Sequence, residues 1–411
     1  ARADWDIIAE VGRRMGWQDA FDYANEADVF REYAALSGQA AEFGRDFDIS
    51  GLAAISDADY DDFAPQVWPV PAKGKGKTRF FADGGFFHPG GRAKMLAITP
   101  PVLDAQADTG LRFNTGRVRD HWHTMTRTGR APQLASHMAE PYLEVHPLDA
   151  ARLGLEVAGL AKVKSAHGEV ILRVLITDRV QLGQCFAPMH WTGETASAGR
   201  INALVTGDVD PVSGQPALKG MTVAVTPYAV GWYGFAASVV DMVPARPYAA
   251  VARSKTGWRA EVAGHKIPQD WQQEARQILN LPEGELSIVE DHARTTVRVA
   301  IYQHGKLAGV FFAAPEPVEL MRSQVVEQIG SDIPALRVLA GLAPSDQPAK
   351  GAIVCACMDV GRDELRRAIG AGADSVPRLV ECTGAGSNCG SCRPELAALV
   401  AEFTTQKVAA Q

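Results

Sequence analysis

Cysteine is scarce, and its placement excludes a disulfide framework: of six in the chain, one, Cys185, lies outside the tail, and the other five follow residue 350. A reducing, cytoplasmic setting fits that distribution. No apolar run approaches the length of a membrane span, so no membrane partner is expected. The first residues, Ala1 to Ile8, show no basic segment followed by an apolar core, which excludes a visible signal peptide. Positive charge is in deficit, with 41 Lys and Arg against 48 Asp and Glu and a net charge of −7, which argues against nucleic acid as the main partner. An initiator Met is missing too. The chain starts inside the helix-like pattern Asp4 to Val11, and we expect its natural N-terminus to lie upstream. There is no low-complexity run and no repeat of solenoid period. What remains is the composition of an ordinary globular protein, and 411 residues are enough for two or three domains.

Residues 1–65 read as helical, with Ile7, Ile8, Val11 and Met15 at helical spacing and Val29, Phe30, Tyr33 and Leu36 repeating it. Pro65 to Pro71 and Lys73 to Lys77 form a loop. Phe80-Phe81 and Ala93 to Ile98 look like short strands around the turn Pro89-Gly90-Gly91. From Pro141 the period changes to two. Strands are expected at Leu143–Val145, Val157–Val163, Val170–Ile176, Gln184–Trp191 and Met221–Val225, with a glycine-capped helical turn at Asp149–Gly154. That is a compact β-rich domain, read as a barrel. Residues 228–345 read as a separate packing module. It has helices at Trp271–Leu279 and Pro317–Ile329 and strands at Thr296–Tyr302 and Leu307–Ala313. Pro344 to Lys350 is a linker by composition.

One stretch concentrates positive charge. Leu111 to Arg130 holds Arg112, Arg117, Arg119, Arg127 and Arg130 with His121 and His123, against the single acid Asp120. Thr115, Thr124, Thr126 and Thr128 are interleaved, and Gly116 lets the backbone come close. In a net-acidic chain this is a local well for a polyanionic, nucleotide-like ligand, because Arg can fork onto phosphate oxygens. A solvated basic loop is the plainer alternative. His121-Trp122-His123 is not read as a metal site, since alternate residues of a strand face opposite sides and no third ligand is near.

The tail carries two close cysteine pairs, Cys355-Ala356-Cys357 and Cys389-Gly390-Ser391-Cys392. Four thiolates brought to one point suit an iron–sulfur cluster or a structural zinc. Zinc pairs usually have two to four residues between the cysteines, and here the first pair has one, which favours iron–sulfur. Cys389 and Cys392 fall where a glycine-rich loop meets a helix N-terminus, a setting that favours thiolate. Cys382 is read as packing, and Cys185 as core.

Val354 to Cys357 and Thr383 to Cys392 resemble the bacterioferritin-associated-ferredoxin type of [2Fe–2S] domain, which implies that Cys355, Cys357, Cys389 and Cys392 hold one [2Fe–2S] cluster. Thr115-Gly116-Arg117-Val118-Arg119-Asp120-His121-Trp122-His123-Thr124 resembles the cofactor-contact run of the molybdopterin-dinucleotide-binding domain of molybdenum oxidoreductases. Asn202 and Lys219, flanking Asp210 to Gly214, match its later contacts, and His190-Trp191 lies where further contacts often fall. Gly91 to Met95 matches the approach to that domain. The resemblance implies a double-psi β-barrel and Mo-bis(molybdopterin guanine dinucleotide) as cofactor. Arg117, Arg119 and Lys219 would offset pyrophosphate charge, and Asn202 would orient polar groups of the pterin or guanine. Residues 295–329 are similar, more faintly, to the C-terminal domain of flavin-dependent nitrite reductases.

The combination resembles the catalytic subunits of bacterial assimilatory nitrate reductases. The implied layout is multidomain α+β. It runs from the end of a molybdopterin oxidoreductase domain (1–100) through a dinucleotide-binding barrel (101–227) and a small α+β module (228–345) to a helical [2Fe–2S] domain (351–404). The family's N-terminal cysteine motif for a [4Fe–4S] cluster is missing, as is a molybdenum ligand. The chain therefore reads as the C-terminal half of such an enzyme, inactive alone. The implied substrate is nitrate, and the implied donors are ferredoxin, flavodoxin or an NADH-linked flavoprotein. A formate dehydrogenase of the same superfamily and a non-catalytic electron-transfer module are the alternatives.

Overall fold

A computed structural model describes residues 2–74, 76, 79–97, 110–341 and 350–409, without the side chains of residues 136 and 404–409. The chain divides into two compact units, residues 1–103 and 104–411. The linker expected at 344–350, apart from Lys350, lies outside the described residues, as does Ile98.

The first unit is helical, as its periodicity suggests. Helix α1 spans Asp4–Arg14, with Asp4 and Asp6 in its first turn and Arg13 and Arg14 in its last, each sign placed to oppose the helix dipole. Helix α2, Glu26–Glu42, starts where the Asn25 side chain accepts the Asp28 N–H. Ser56 caps α3, Asp57–Asp61, in the same way. The apolar residues of α1 that signal the helix, Ile7, Ile8, Val11 and Met15, are 46–66% exposed. The strands expected around residues 80 and 95 do not form. Residues 79–97 are turns and irregular chain. Side-chain association shapes that segment: Phe80 lies against Trp68 at 4.3 Å, and Phe81 stacks on Phe86 at 4.7 Å.

The second unit opens with a closed six-stranded barrel of β1 (Leu111–Gly116), β2 (Tyr142–Val145), β3 (Leu160–Lys164), β4 (Glu169–Ile176), β5 (Gln184–Pro188) and β6 (Thr222–Pro227). The order around it is β1-β5-β2-β4-β3-β6. Pairs β1–β5 and β2–β4 are parallel, and the other pairs are antiparallel. Alternation along β1 sends Leu111, Phe113 and Thr115 inward and Asn114 outward. Phe113, Leu143, Val145, Leu172 and Cys185 fill the interior. Two short helices belong to this domain, α4 (Pro132–His137) and α5 (Pro147–Leu153), the latter ended by Gly154 at φ +67°.

Next comes a six-stranded antiparallel sheet, ordered β10-β11-β12-β7-β9-β8. Its strands are β7 (Trp232–Ser238), β8 (Tyr248–Ser254), β9 (Gly257–Gly264), β10 (Glu285–Asp291), β11 (Thr296–Gln303) and β12 (Lys306–Ala314). Helix α6, Trp271–Leu279, packs with Trp232 and Phe311 on one face. Helices α7 (Arg322–Gln328) and α8 (Ala335–Ala340) pack with Phe235 and Phe312 on the other. The module thus lies within the expected bounds but holds six strands and three helices where two of each were expected, and its second helix starts at Arg322 rather than at Pro317. Val318 and Leu320 are spent on the core beneath instead of on a helical turn. Buried Glu261 takes two hydrogen bonds from Arg322, at 2.6 and 3.1 Å, and one from Arg259 at 3.1 Å. Burial opposes its charge, but the two guanidiniums prevail and hold the carboxyl below its usual range.

The tail has a two-stranded ribbon, β13 (Ile353–Cys355) with β14 (Val360–Gly361), and helices α9 (Arg362–Gly370), α10 (Val376–Thr383) and α11 (Arg393–Ala409). Glu364 accepts the Gly361 N–H at 2.8 Å and so fixes the start of α9. Leu365, Leu379 and Leu396, each fully buried, close the small core.

Candidate cofactor sites

In the tail, β13 delivers Cys355, the turn after it delivers Cys357, and the loop before α11 delivers Cys389 and Cys392. Cys357 Sγ stands 3.7 Å from both Cys355 Sγ and Cys389 Sγ. The Cys392 side chain also meets that of Cys355. Two thiolates sharing one tetrahedral metal stand about 3.8 Å apart, given a metal–sulfur bond of about 2.3 Å. The contacts join Cys389 to Cys357, Cys357 to Cys355 and Cys355 to Cys392. Among the described residues no group of three or more His, Cys, Asp or Glu is gathered for a single metal ion. Donors spread in this way fit a group with two irons better than one zinc.

The four thiols are not equivalent. The Ser391 hydroxyl, 3.2 Å from Cys389 Sγ, holds that thiol below its usual pKa. Burial and the neighbouring Cys355 sulfur push Cys392 up to about 12. Cys355 and Cys392 are buried, whereas Cys389 is exposed. Cys382 turns toward the Leu379 carbonyl of its own helix at 3.7 Å. Cys185 sits in the barrel core, where burial pushes it up to about 12.

The arginine-rich stretch leaves the barrel after Gly116 and is not a strand beyond it. It separates into three groups. Thr115, Val118, His121, His190 and Trp191 are buried, so their side chains shape the loop from behind. Thr115 Oγ1 donates to the Ala187 carbonyl at 2.9 Å. His190 Nε2 accepts the Val118 N–H at 2.9 Å, and its Nδ1 donates to the His123 carbonyl at 2.5 Å, which sets a neutral tautomer. Burial lowers the His190 pKa in keeping with that. His121 is also buried and meets Met138 O and Thr128 Oγ1, each at 3.2 Å, while His123 is exposed at φ +45°. The two histidines diverge as expected, but on an irregular loop rather than on a strand.

A second group faces outward. The Arg117 guanidinium lies 4.8 Å over the Trp122 ring, and Trp122 meets His123 edge-on at 4.5 Å. Trp122 is 54% exposed. Lys219 is exposed and joins the same end of the barrel, because the next residue donates its N–H to the Phe113 carbonyl at 2.9 Å. Among the described residues neither Arg117 nor Lys219 has an ion-pair partner. Gly116 keeps the turn tight, since a Cβ there would stand 3.1 Å from the Phe186 ring. Asn202 is exposed on a short turn, Ile201–Leu204, packed on β4. Thr124 lines a cleft of about 210 Å³ between the loop and β8. That is too small for a dinucleotide, whose pockets run to about 300–1,000 Å³. The exposed rim carrying Arg117, Trp122, His123 and Lys219 is therefore the surface with the right chemistry: unpaired cations and flat rings.

The third group was not legible in the sequence. Arg119 turns away from that rim and onto the tail, donating to Val354 O at 2.7 Å and to Glu395 at 2.8 Å. Asp120 backs it at 3.2 Å and also holds His137 Nδ1. His137 Nε2 donates to Ile353 O at 2.7 Å. Arg119 is thus already engaged where a pyrophosphate contact was expected. His137 carried no sequence signal at all.

Comparison with known proteins agrees with this division. Residues 111–222 match the molydopterin dinucleotide binding domain, and residues 353–402 match the BFD-like [2Fe-2S] binding domain. This chain carries a molybdopterin-dinucleotide-binding domain and a BFD-like [2Fe–2S] domain. The first domain takes the molybdopterin dinucleotide and the second a [2Fe–2S] cluster. A nitrate reductase of Klebsiella oxytoca is 34% identical over 99% of this chain and 47% of its own length. One of Shewanella frigidimarina is 25% identical over 96% of this chain and 46% of its own. The assimilatory nitrate reductase catalytic subunit of Bacillus subtilis is 29% identical over 55% of this chain and 31% of its own. The chain thus spans about half the length of the two curated relatives that match it almost throughout. Among its described residues no helix is long and apolar enough to cross a membrane.

Proposed function

We propose that the chain is the cofactor-holding and electron-accepting part of an assimilatory nitrate reductase. The observation that carries this reading is the convergence of four tail sulfurs in the same compact unit as the exposed Arg117–Trp122 surface. In this reading Cys355, Cys357, Cys389 and Cys392 are the ligands of the [2Fe–2S] cluster. Arg117 and Lys219 meet the pyrophosphate of the molybdopterin guanine dinucleotide, and Trp122 and His123 offer ring faces to its planar ends. Asn202 orients polar groups of the same cofactor. Gly116 and Thr115 keep the turn close, while His190 fixes the backbone that presents Arg117. When bound, the cofactors supply single-electron relay and the removal of one oxygen atom from nitrate, which takes up two electrons and two protons to give nitrite and water. The near-complete match to two nitrate reductases supports that substrate.

The test is nitrite formation by the full-length enzyme with reduced ferredoxin and, separately, with a reduced viologen dye. Cys357→Ser is expected to cut ferredoxin-driven turnover at least about 100-fold more than dye-driven turnover, because only the protein donor needs the cluster as entry point. Equal losses with both donors would make the cluster structural. Formate oxidation without nitrite formation would overturn the substrate assignment.

A further inference from the structure

The loop that presents Arg117 continues for two residues and then grips the iron–sulfur domain. Arg119 Nη2 donates to the carbonyl of Val354, the residue before Cys355, at 2.7 Å. Its Nη1 donates at 2.8 Å to Glu395, in the first turn of the helix that follows Cys392. One guanidinium therefore holds both chain segments that carry the buried sulfurs, Cys355 and Cys392, which are 1% and 2% exposed. His137 adds a bond to Ile353 O at 2.7 Å, and Asp120 braces both donors. The partners are more than 200 residues apart in sequence, so this is a tertiary bracket and not local capping. The sulfurs of Cys357 and Cys389 are outside it, and Cys389 is exposed to solvent.

We propose that Arg119 is a positioning residue that fixes the buried edge of the cluster, at Cys355 and Cys392, against the dinucleotide loop and raises the cluster's reduction potential. The proposal rests on the [2Fe–2S] reading above. Four thiolates around two irons already carry negative charge, and each added electron increases it. A guanidinium partly withdrawn from water, within electrostatic reach of Cys392 and bonded to the residue before Cys355, therefore favours the reduced state. Buried Asp120 and half-exposed Glu395, both on the same guanidinium, act in the opposite direction, so Arg119 offsets carboxylate charge that would otherwise lower the potential. The bracket also gives the cluster two sides. A cluster held there would present Cys357 and Cys389 on the side open to a protein donor, and its bracketed edge toward the dinucleotide loop.

The test is an EPR-monitored dithionite titration of the cluster in the full-length enzyme carrying Arg119→Gln, Arg119→Lys or Glu395→Gln. At the wild-type midpoint, the reduced-to-oxidised ratio is expected to fall about tenfold in Arg119→Gln, the equivalent of about 59 mV for a one-electron couple. Arg119→Lys should stay within about twofold, because it keeps the charge. Glu395→Gln should shift the ratio upward, a direction that simple loosening of the domain does not give. An unchanged midpoint in Arg119→Gln would overturn the proposal. Should that variant lose its cluster, an unmoved or lowered midpoint in Glu395→Gln would overturn it instead. A wild type that shows the cluster and these shifts but forms no nitrite contradicts only the nitrate assignment. A wild type without a [2Fe–2S] signal overturns both.

Discussion

The barrel and the tail each bury cysteine in an apolar core, with opposite consequences. Cys185 lies among Phe113, Leu143 and Val145, and no other described cysteine belongs to that core. Cys355 and Cys392 lie among Leu365, Leu379 and Leu396, and each meets another sulfur. Burial alone therefore does not make a thiol inert; its neighbours decide. Size separates the two regions further. The barrel closes on itself and leaves no sheet edge to defend. The matched cluster domain is 50 residues long, near the limit at which a core holds without a staple, and two of its core residues are themselves the expected ligands.

If that contrast is right, stripping iron should separate the two regions. After anaerobic chelation, amide hydrogen exchange over residues 353–402 is expected to accelerate about 100-fold or more, while the amides of β2 and β4 stay protected. A tail that kept its protection would show that its leucine core suffices and would break the comparison. A smaller effect sharpens it from the other side. Cys185→Ala should cost about 1–2 kcal/mol in urea unfolding through lost packing, and should leave iron content unchanged. A loss of iron in that variant would mean that the barrel thiol is not the filler its surroundings indicate.

How much of this the sequence disclosed also differs by region. The tail was legible because its paired cysteines come in two short motifs, and because Pro377 and the glycines after residue 369 mark its helix ends. Strands β2 to β6 of the barrel were legible from apolar, β-branched runs between turn signals. Strand β1 went unread as a strand, because the arginines in and after it marked the stretch as an anion well and masked its inward Leu111, Phe113 and Thr115. Strands β7 and β8 escaped notice for a different reason. Both faces of their sheet are covered, their residues are nearly all buried, and runs such as Ala236-Ala237 and Ala249-Ala250 carry no period. The Arg119–Asp120–His137 bracket was illegible because its partners are carbonyls, which have no sequence identity, at positions over 200 residues away. Charge pattern singled out residues 111–130 as a candidate anion surface. It could not say which arginines face outward, since that depends on how His190 and His121 tie the loop down.

The account stands most directly on what the tail sulfurs hold. Iron, zinc and acid-labile sulfide should be counted in the purified chain, and again in a variant with Cys355 and Cys392 both changed to serine. The expected result is two irons and two sulfides per chain, matching the [2Fe–2S] assignment, and neither in the variant. One zinc without labile sulfide would contradict it.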